Sequence, residues 1–342
     1  MIGAMRAPGS GLTAFPAVPG DVRLIDLAWN EIPEVPAWVA GLAALEELRL
    51  DGNGLRSLPD LSGLTALRTL HLDGNRLTSF PSCPPHLETL FLYGNQIPAL
   101  PDRLPAPLRH LAAGGNGLTG VPGALWKLTG LESLNLAENE LTEIPAAIGG
   151  LTRLRMLDLG HNRLTEIPPE VGDLHLTDYL YLSDNLFTEV PDTIGRLDRL
   201  AYLNLTDNRL TRLPGTIGSM AALVELRLYN NRLETLPEPI GGLARLRELH
   251  LQGNRLAGLP DSIAGLGELR VLDLRDNRLR ELPYAMPPRL THLDLRNNRL
   301  RELPESLAEL PALEKLDLRW NKLDGDPGVL GRLAARGCVV LR

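Results

Sequence analysis

Leu200-Ala-Tyr-Leu203-Asn-Leu205-Thr-Asp-Asn208-Arg-Leu210-Thr-Arg-Leu213-Pro214 is one of seven near-copies between Leu131 and Pro283. Their asparagines, Asn139, Asn162, Asn185, Asn208, Asn231, Asn254 and Asn277, follow one another at steps of 23. A fixed period of this size marks a chain built of stacked repeats. With the first leucine as position 1, apolar residues fall at positions 1, 4, 6, 11 and 14. The two-residue spacing of positions 4 and 6 puts both on one face of a β-strand, so positions 3, 5, 7 and 8 point outward.

A single repeat cannot bury its apolar face. Repeats laid side by side form a parallel ladder of short strands in which each leucine column packs on itself. The asparagine at position 9 falls where the chain leaves the strand and backbone groups lose their ladder partners. Its amide both donates and accepts, so an asparagine column can satisfy adjacent turns.

This motif, L-x-x-L-x-L-x-x-N-x-L-x-x-L-P with the ending Leu213-Pro-Gly-Thr-Ile217-Gly218-Ser-Met, resembles the leucine-rich repeat family and looks like its 23-residue intracellular and bacterial class. The resemblance covers nearly the whole chain. It implies an α/β fold, a curved solenoid or horseshoe of about fourteen repeats with its parallel sheet on the concave side. In that family the sheet usually serves as a binding surface for other proteins or peptides.

In chain order, residues 1–20, rich in Gly, Pro and Ala, look like a flexible tail, residues 21–323 like the solenoid, and residues 324–342 like a cap. The cap is expected to hold a short helix over 329–337 and a last strand at Val339-Val340-Leu341. Asn53, Asn75, Asn95 and Asn116 stand at shorter steps, because Pro84-Pro85-His86 and Pro105-Ala-Pro107 replace the back of the repeat. Tyr284-Ala-Met-Pro287-Pro288 does the same before Asn298. Proline fixes φ and lacks an N–H, so these backs should be extended. Such shortened repeats resemble those of secreted bacterial effectors. Ala113 at position 6 and Thr177 at position 1 depart from the pattern and should thin the core.

A net charge of −7 and a pI near 5.6 argue against a nucleic-acid or anionic-membrane partner. No apolar run approaches the roughly 18 residues that span a bilayer. The first ten residues lack the apolar stretch of a secretory signal. Cys83 and Cys338 lie some eleven repeats apart, roughly 50 Å at strand spacing, beyond disulfide reach. A reducing cytoplasm is the expected location.

The outward positions hold eight of the fourteen aromatic residues: Trp29, Phe91, Tyr93, Tyr179, Tyr181, Tyr202, Tyr229 and Trp320. They also hold His71, His110, His161, His250 and His292. The repeat itself does not require this, and aromatic side chains dominate interface hot spots. Tyr179 and Tyr202 should be adjacent, with Tyr181, Met156, Asp158 and Tyr229 around them. A second cluster should join Phe91 and Tyr93, flanked by His71 and His110. Ala112, Gly114, Gly115, Ala137 and Gly160 lie between, which suggests a trough with aromatic walls and a small-residue floor. Toward the C-terminus, Asp273/Arg275, Asp294/Arg296 and Asp317/Arg319 read as a self-compensating charge ladder.

Catalytic signals are poor: no G-x-x-x-x-G-K-[ST], G-x-S-x-G or C-x-x-C occurs. His71/Asp73 and Asp158/His161 each offer two metal ligands where a site needs three or four, so neither a metal nor a cofactor is expected. The expected function is a non-enzymatic, monomeric module that binds a protein or peptide on its concave face. The alternative is an enzyme, or an accessory to one, using Asp158, His161 and Tyr181 as acid–base groups.

Overall fold

The computed structural model describes residues 3–325 and 328–342. The first two residues of the expected tail, and Asp326 and Pro327 of the expected cap, lie outside the described residues. Two compact units divide the chain, Met1–Glu143 with Gly150–Arg163, and Ile144–Gly149 with Leu164–Arg342.

The first unit carries β1 (Ala4–Arg6), β2 (Leu24–Asp26), β3 (Glu47–Arg49), β4 (Thr69–His71), β5 (Thr89–Phe91), β6 (His110–Ala112), β7 (Ser133–Asn135) and β8 (Met156–Asp158). The second carries β9 (Tyr179–Tyr181), β10 (Tyr202–Asn204), β11 (Glu225–Arg227), β12 (Glu248–His250), β13 (Val271–Asp273), β14 (His292–Asp294), β15 (Lys315–Asp317) and β16 (Val339–Leu341). Helix α1 (Gly328–Ala335) precedes β16. Within each unit the strands are parallel and follow sequence order. Equal repeat positions pair, as in Tyr202↔Glu225, Leu203↔Leu226 and Asn204↔Arg227. The fold is a parallel-sheet leucine-rich repeat solenoid.

Each strand is three residues long because only positions 3 to 5 alternate cleanly out, in, out. Leu203 at position 4 and Leu205 at position 6 are fully buried, as are their equivalents Leu226, Leu228, Leu249 and Leu251. At position 8 the chain turns, and every non-glycine residue with positive φ among the described residues sits there, from Trp29 (59°) and His161 (51°) to Asp207 (53°) and Trp320 (61°). That turn strips partners from the next carbonyls, and the position-9 asparagine supplies them. Asn208 Nδ2 donates to the carbonyls of Leu205 (3.2 Å), Thr206 (3.0 Å) and, one repeat back, Leu182 (3.0 Å), while its Oδ1 accepts from the Phe187 N–H (3.1 Å). Each asparagine therefore ties two repeats together.

Regular backs contain a single 3₁₀ turn over P-x-x-I-G, such as Asp192–Arg196 and Gly215–Ser219. The preceding proline is extended (Pro214, φ −69°, ψ 149°), and its carbonyl accepts from the isoleucine N–H three residues on (Ile217, 3.1 Å). The proline-substituted backs around residues 84–86, 105–107 and 284–288 contain no helical turn.

Two expectations are corrected. Within the segment read as a flexible tail, Ala4–Arg6 form β1 paired to β2, and the chain is held beyond it: Asn30 Oδ1 accepts from the Ser10 and Leu12 N–H groups (2.9 Å each). The first full repeat would otherwise leave Ile25 and Leu27, both fully buried, at an open edge. At the eighth repeat, the buried leucine at the strand entry is Leu176, not the residue at position 1. Leu174 leaves its 3₁₀ turn extended (ψ 151°, against 55° and 71° at Leu197 and Leu243 after regular turns), which turns Leu176 inward and leaves Thr177 half-buried. The core is not thinned there.

Candidate functional site

In the second unit, Tyr179 and Tyr181 stand two residues apart on β9, both outward, on either side of the fully buried Leu180. Their rings stack, with centroids 4.5 Å apart and planes at 24°. Tyr181 also meets Tyr202 of β10 edge to face, with centroids 5.2 Å apart. Tyr179 and Tyr202 are in register, as the period predicts, but the ring contact runs through Tyr181. Arg227 extends the cluster, its guanidinium carbon 5.3 Å from the Tyr202 centroid, while its Nε donates to Glu225 (2.6 Å). Burial pushes the Tyr202 phenol far above its ordinary range, so it stays a neutral hydrogen-bond donor. Tyr229 lies close enough to act electrostatically on both Tyr202 and Arg227. An apolar, polar-tipped patch beside a guanidinium is suited to planar or carboxylate-bearing groups of a partner.

In the first unit, His71 meets Phe91 edge-on at 4.7 Å. His110 pairs in register with Thr89 and Ser133 rather than with Phe91. Tyr93 reaches across to donate to Glu138 (2.5 Å), and that bond, with burial, raises its pKa to about 12. The ring crosses Gly114: a Cβ there would lie 2.8 Å from Tyr93 Cδ2 and 2.7 Å from Asn135 Oδ1. Gly114 is thus glycine because Tyr93 and Asn135 close over it, and the expected small-residue floor is covered at that point.

Met156 lies beside Ser133. Asp158 Oδ1 accepts from the Gly160 N–H two residues on (3.0 Å), and burial raises its pKa against the opposing pull of that bond and of His161. Asn135, Asn204, Asp273, Asp294 and Asp317 make the same i to i+2 bond at the same position. Asp158 therefore has a full role as a turn former, and this weakens the acid–base alternative. His161 occupies the left-handed position 8, and Tyr181 belongs to the second unit. The C-terminal ladder is self-compensating: Arg275, Arg296 and Arg319 each pair with the aspartate two residues before (3.1, 2.6 and 2.7 Å).

Glu225, Arg227 and Glu248 were not among the sequence candidates, and His250 figured only as one of five outward histidines. Their signal was present as charge at positions 3 and 5 of successive repeats, but only strand register shows which of them touch.

The chain belongs to the leucine-rich repeat family. The profile described as leucine-rich repeat region matches residues 146–252, and a leucine rich repeat profile matches residues 106–164 and 268–323. A leucine-rich repeat protein of Leptospira interrogans is 30% identical, with a TM-score of 0.89 over 98% of this chain and 94% of that one. YopM from Yersinia enterocolitica is 25% identical over 94% of this chain and 83% of its own, at a TM-score of 0.60. The plant peptide hormone receptor RGFR1, solved in complex with RGF2, is 26% identical over 94% of this chain and 66% of that one, at a TM-score of 0.60. No curated protein matches. No helix among the described residues is long and apolar enough to cross a membrane.

Proposed function

We propose that this chain is a non-enzymatic binding module that takes a protein or peptide on the outward face of its strands, anchored at Tyr179, Tyr181 and Tyr202. The observation that carries the reading is the continuous ring contact of these three residues on positions the fold leaves to solvent, with Arg227 against the last ring. RGFR1, a similar fold, is a peptide hormone receptor, which supports a peptide or protein as the class of partner. The net charge of −7 disfavours nucleic acid and anionic lipid. Two free cysteines, Cys83 and Cys338, support a reducing compartment, and a single copy of the chain carries the site.

Affinity capture from the source organism with mass spectrometry identifies the partner. Tyr181→Ala with Tyr202→Ala is then expected to weaken capture by roughly thirtyfold or more, the usual effect of removing interface aromatics worth about 2 kcal/mol. Arg278→Ala with Arg299→Ala, two exposed residues that directly follow Asn277 and Asn298 at the edge of the strand face, should bind as wild type. Capture lost in the rim pair and kept in the tyrosine pair would place the partner at the edge and refute the tyrosine site.

A further inference from the structure

On adjacent strands β11 and β12, Glu225 stands opposite Glu248, and Arg227 opposite His250, all on the outward face. His250 Nε2 lies 3.1 Å from Glu248 Oε2 and 3.8 Å from Glu225 Oε1. One ligand atom from each of the three lies within 4.8 Å of the other two. The His250 and Glu225 side chains are only 19% exposed, so the sheet holds two of the three groups in place.

We propose that Glu225, Glu248 and His250 form a binding site for a first-row divalent transition cation, Zn²⁺ being the probe of choice. Ligands bound to one tetrahedral ion at about 2.0–2.2 Å stand roughly 3.3 Å apart, so the two His250 edges, at 3.1 and 3.8 Å, are close to that and the contraction falls mainly on the edge between the carboxylates. Glu248, 45% exposed, is the arm free to make it. One imidazole nitrogen with two carboxylate oxygens suits zinc-like ions better than calcium or magnesium, which prefer all-oxygen shells. Arg227 is the resident competitor, since its Nε holds Glu225 at 2.6 Å. On cation binding it yields that carboxylate and keeps its seat against Tyr202. The site shares Arg227 with the surface proposed above, but none of its ligands is one of the tyrosines, and a titration of the chain with the cation alone reads it without any partner.

The test uses the full chain, stripped with EDTA and titrated with ZnCl₂ by calorimetry, with Co²⁺ absorption as a second readout. One ion per chain is expected. His250→Gln and Glu225→Gln should each weaken it at least as much as the roughly 10–100-fold typical of losing an outer-shell partner. Arg227→Gln should tighten it, and His292→Gln, on a different strand, should leave it unchanged. Equal melting temperatures of the variants in EDTA establish that they fold. No saturable binding by wild type, or equal binding by the His250 and His292 variants, would show the four side chains to be only an ion-pair network and overturn the site.

Discussion

Asp73 shows how far one outward residue departs from a solvated one. Burial pushes its carboxyl up to about 6, against the pull of the Tyr93 N–H that it accepts at 2.6 Å, and the charge of Asp51 pushes it further. Burial likewise raises Asp51 and lowers His71 beside them. Between about pH 4 and 6 the folded chain thus binds a proton at Asp73 that the unfolded chain does not. The associated stability is complete below the unfolded value and is lost as pH rises through the folded one. Asp73→Asn keeps an oxygen for the Tyr93 N–H and removes the charge. It should be more stable than wild type at pH 7 by about 1 kcal/mol, a figure discounted for a half-exposed group. The advantage should fade toward pH 4. A melting-temperature gap that does not change across this range would show that the charge at Asp73 costs nothing.

Among the elements, the 3₁₀ turns at the back are the least tolerant, because the second unit stacks them at backbone contact. A Cβ on Gly218 would fall well inside van der Waals distance of the Pro239 carbonyl oxygen, and Gly195 faces Thr216 in the same way. Backbone cannot yield as a flexible side chain can. Gly218→Ala is therefore expected to destabilise by about 1–3 kcal/mol, read as a fall in denaturation midpoint. Gly258→Ala, where a Cβ meets nothing within 4 Å, is the control and should be near neutral. Equal midpoints for the two would mean that the stack is loose enough to absorb a methyl group.

On the scale of the whole molecule, a solenoid must close its ends. At the C-terminal end β16 pairs with β15, and Val329, Leu330 and Leu333 of α1 are buried. Truncation after Gly325 removes this cover from Leu316 and Leu318, now 0% and 2% exposed, and leaves β15 as an open edge. Such a protein should melt lower and associate, as light scattering would report. A truncated chain that stays monomeric with unchanged melting would show the end to be dispensable.

The repeat, the leucine columns, the inward-facing asparagines and the parallel ladder were legible in the residues, because each follows from a period of 23 and the two-residue alternation of a strand. The in-register pairing of Tyr179 with Tyr202 was legible for the same reason. What lay beyond the sequence was everything set by contact across repeats. The left-handed turn at position 8 makes Trp29 and Trp320 backbone exceptions as well as aromatic ones. Tyr93 closes over Gly114 where an open floor was expected, and Leu176 replaces the position-1 residue by an extended step at Leu174. Residues 4–6 form a strand because the first repeat has an edge to cover, although their composition resembles a tail. Glu225 is separated from Glu248 and His250 along the chain by a repeat or slightly more, and the three meet only through strand register. Periodicity by itself determined the backbone and the core, since every repeat imposes the same burial on the same positions. Which outward side chains touch was decided by tertiary structure alone, since that depends on the size and rotamer of neighbours one repeat away.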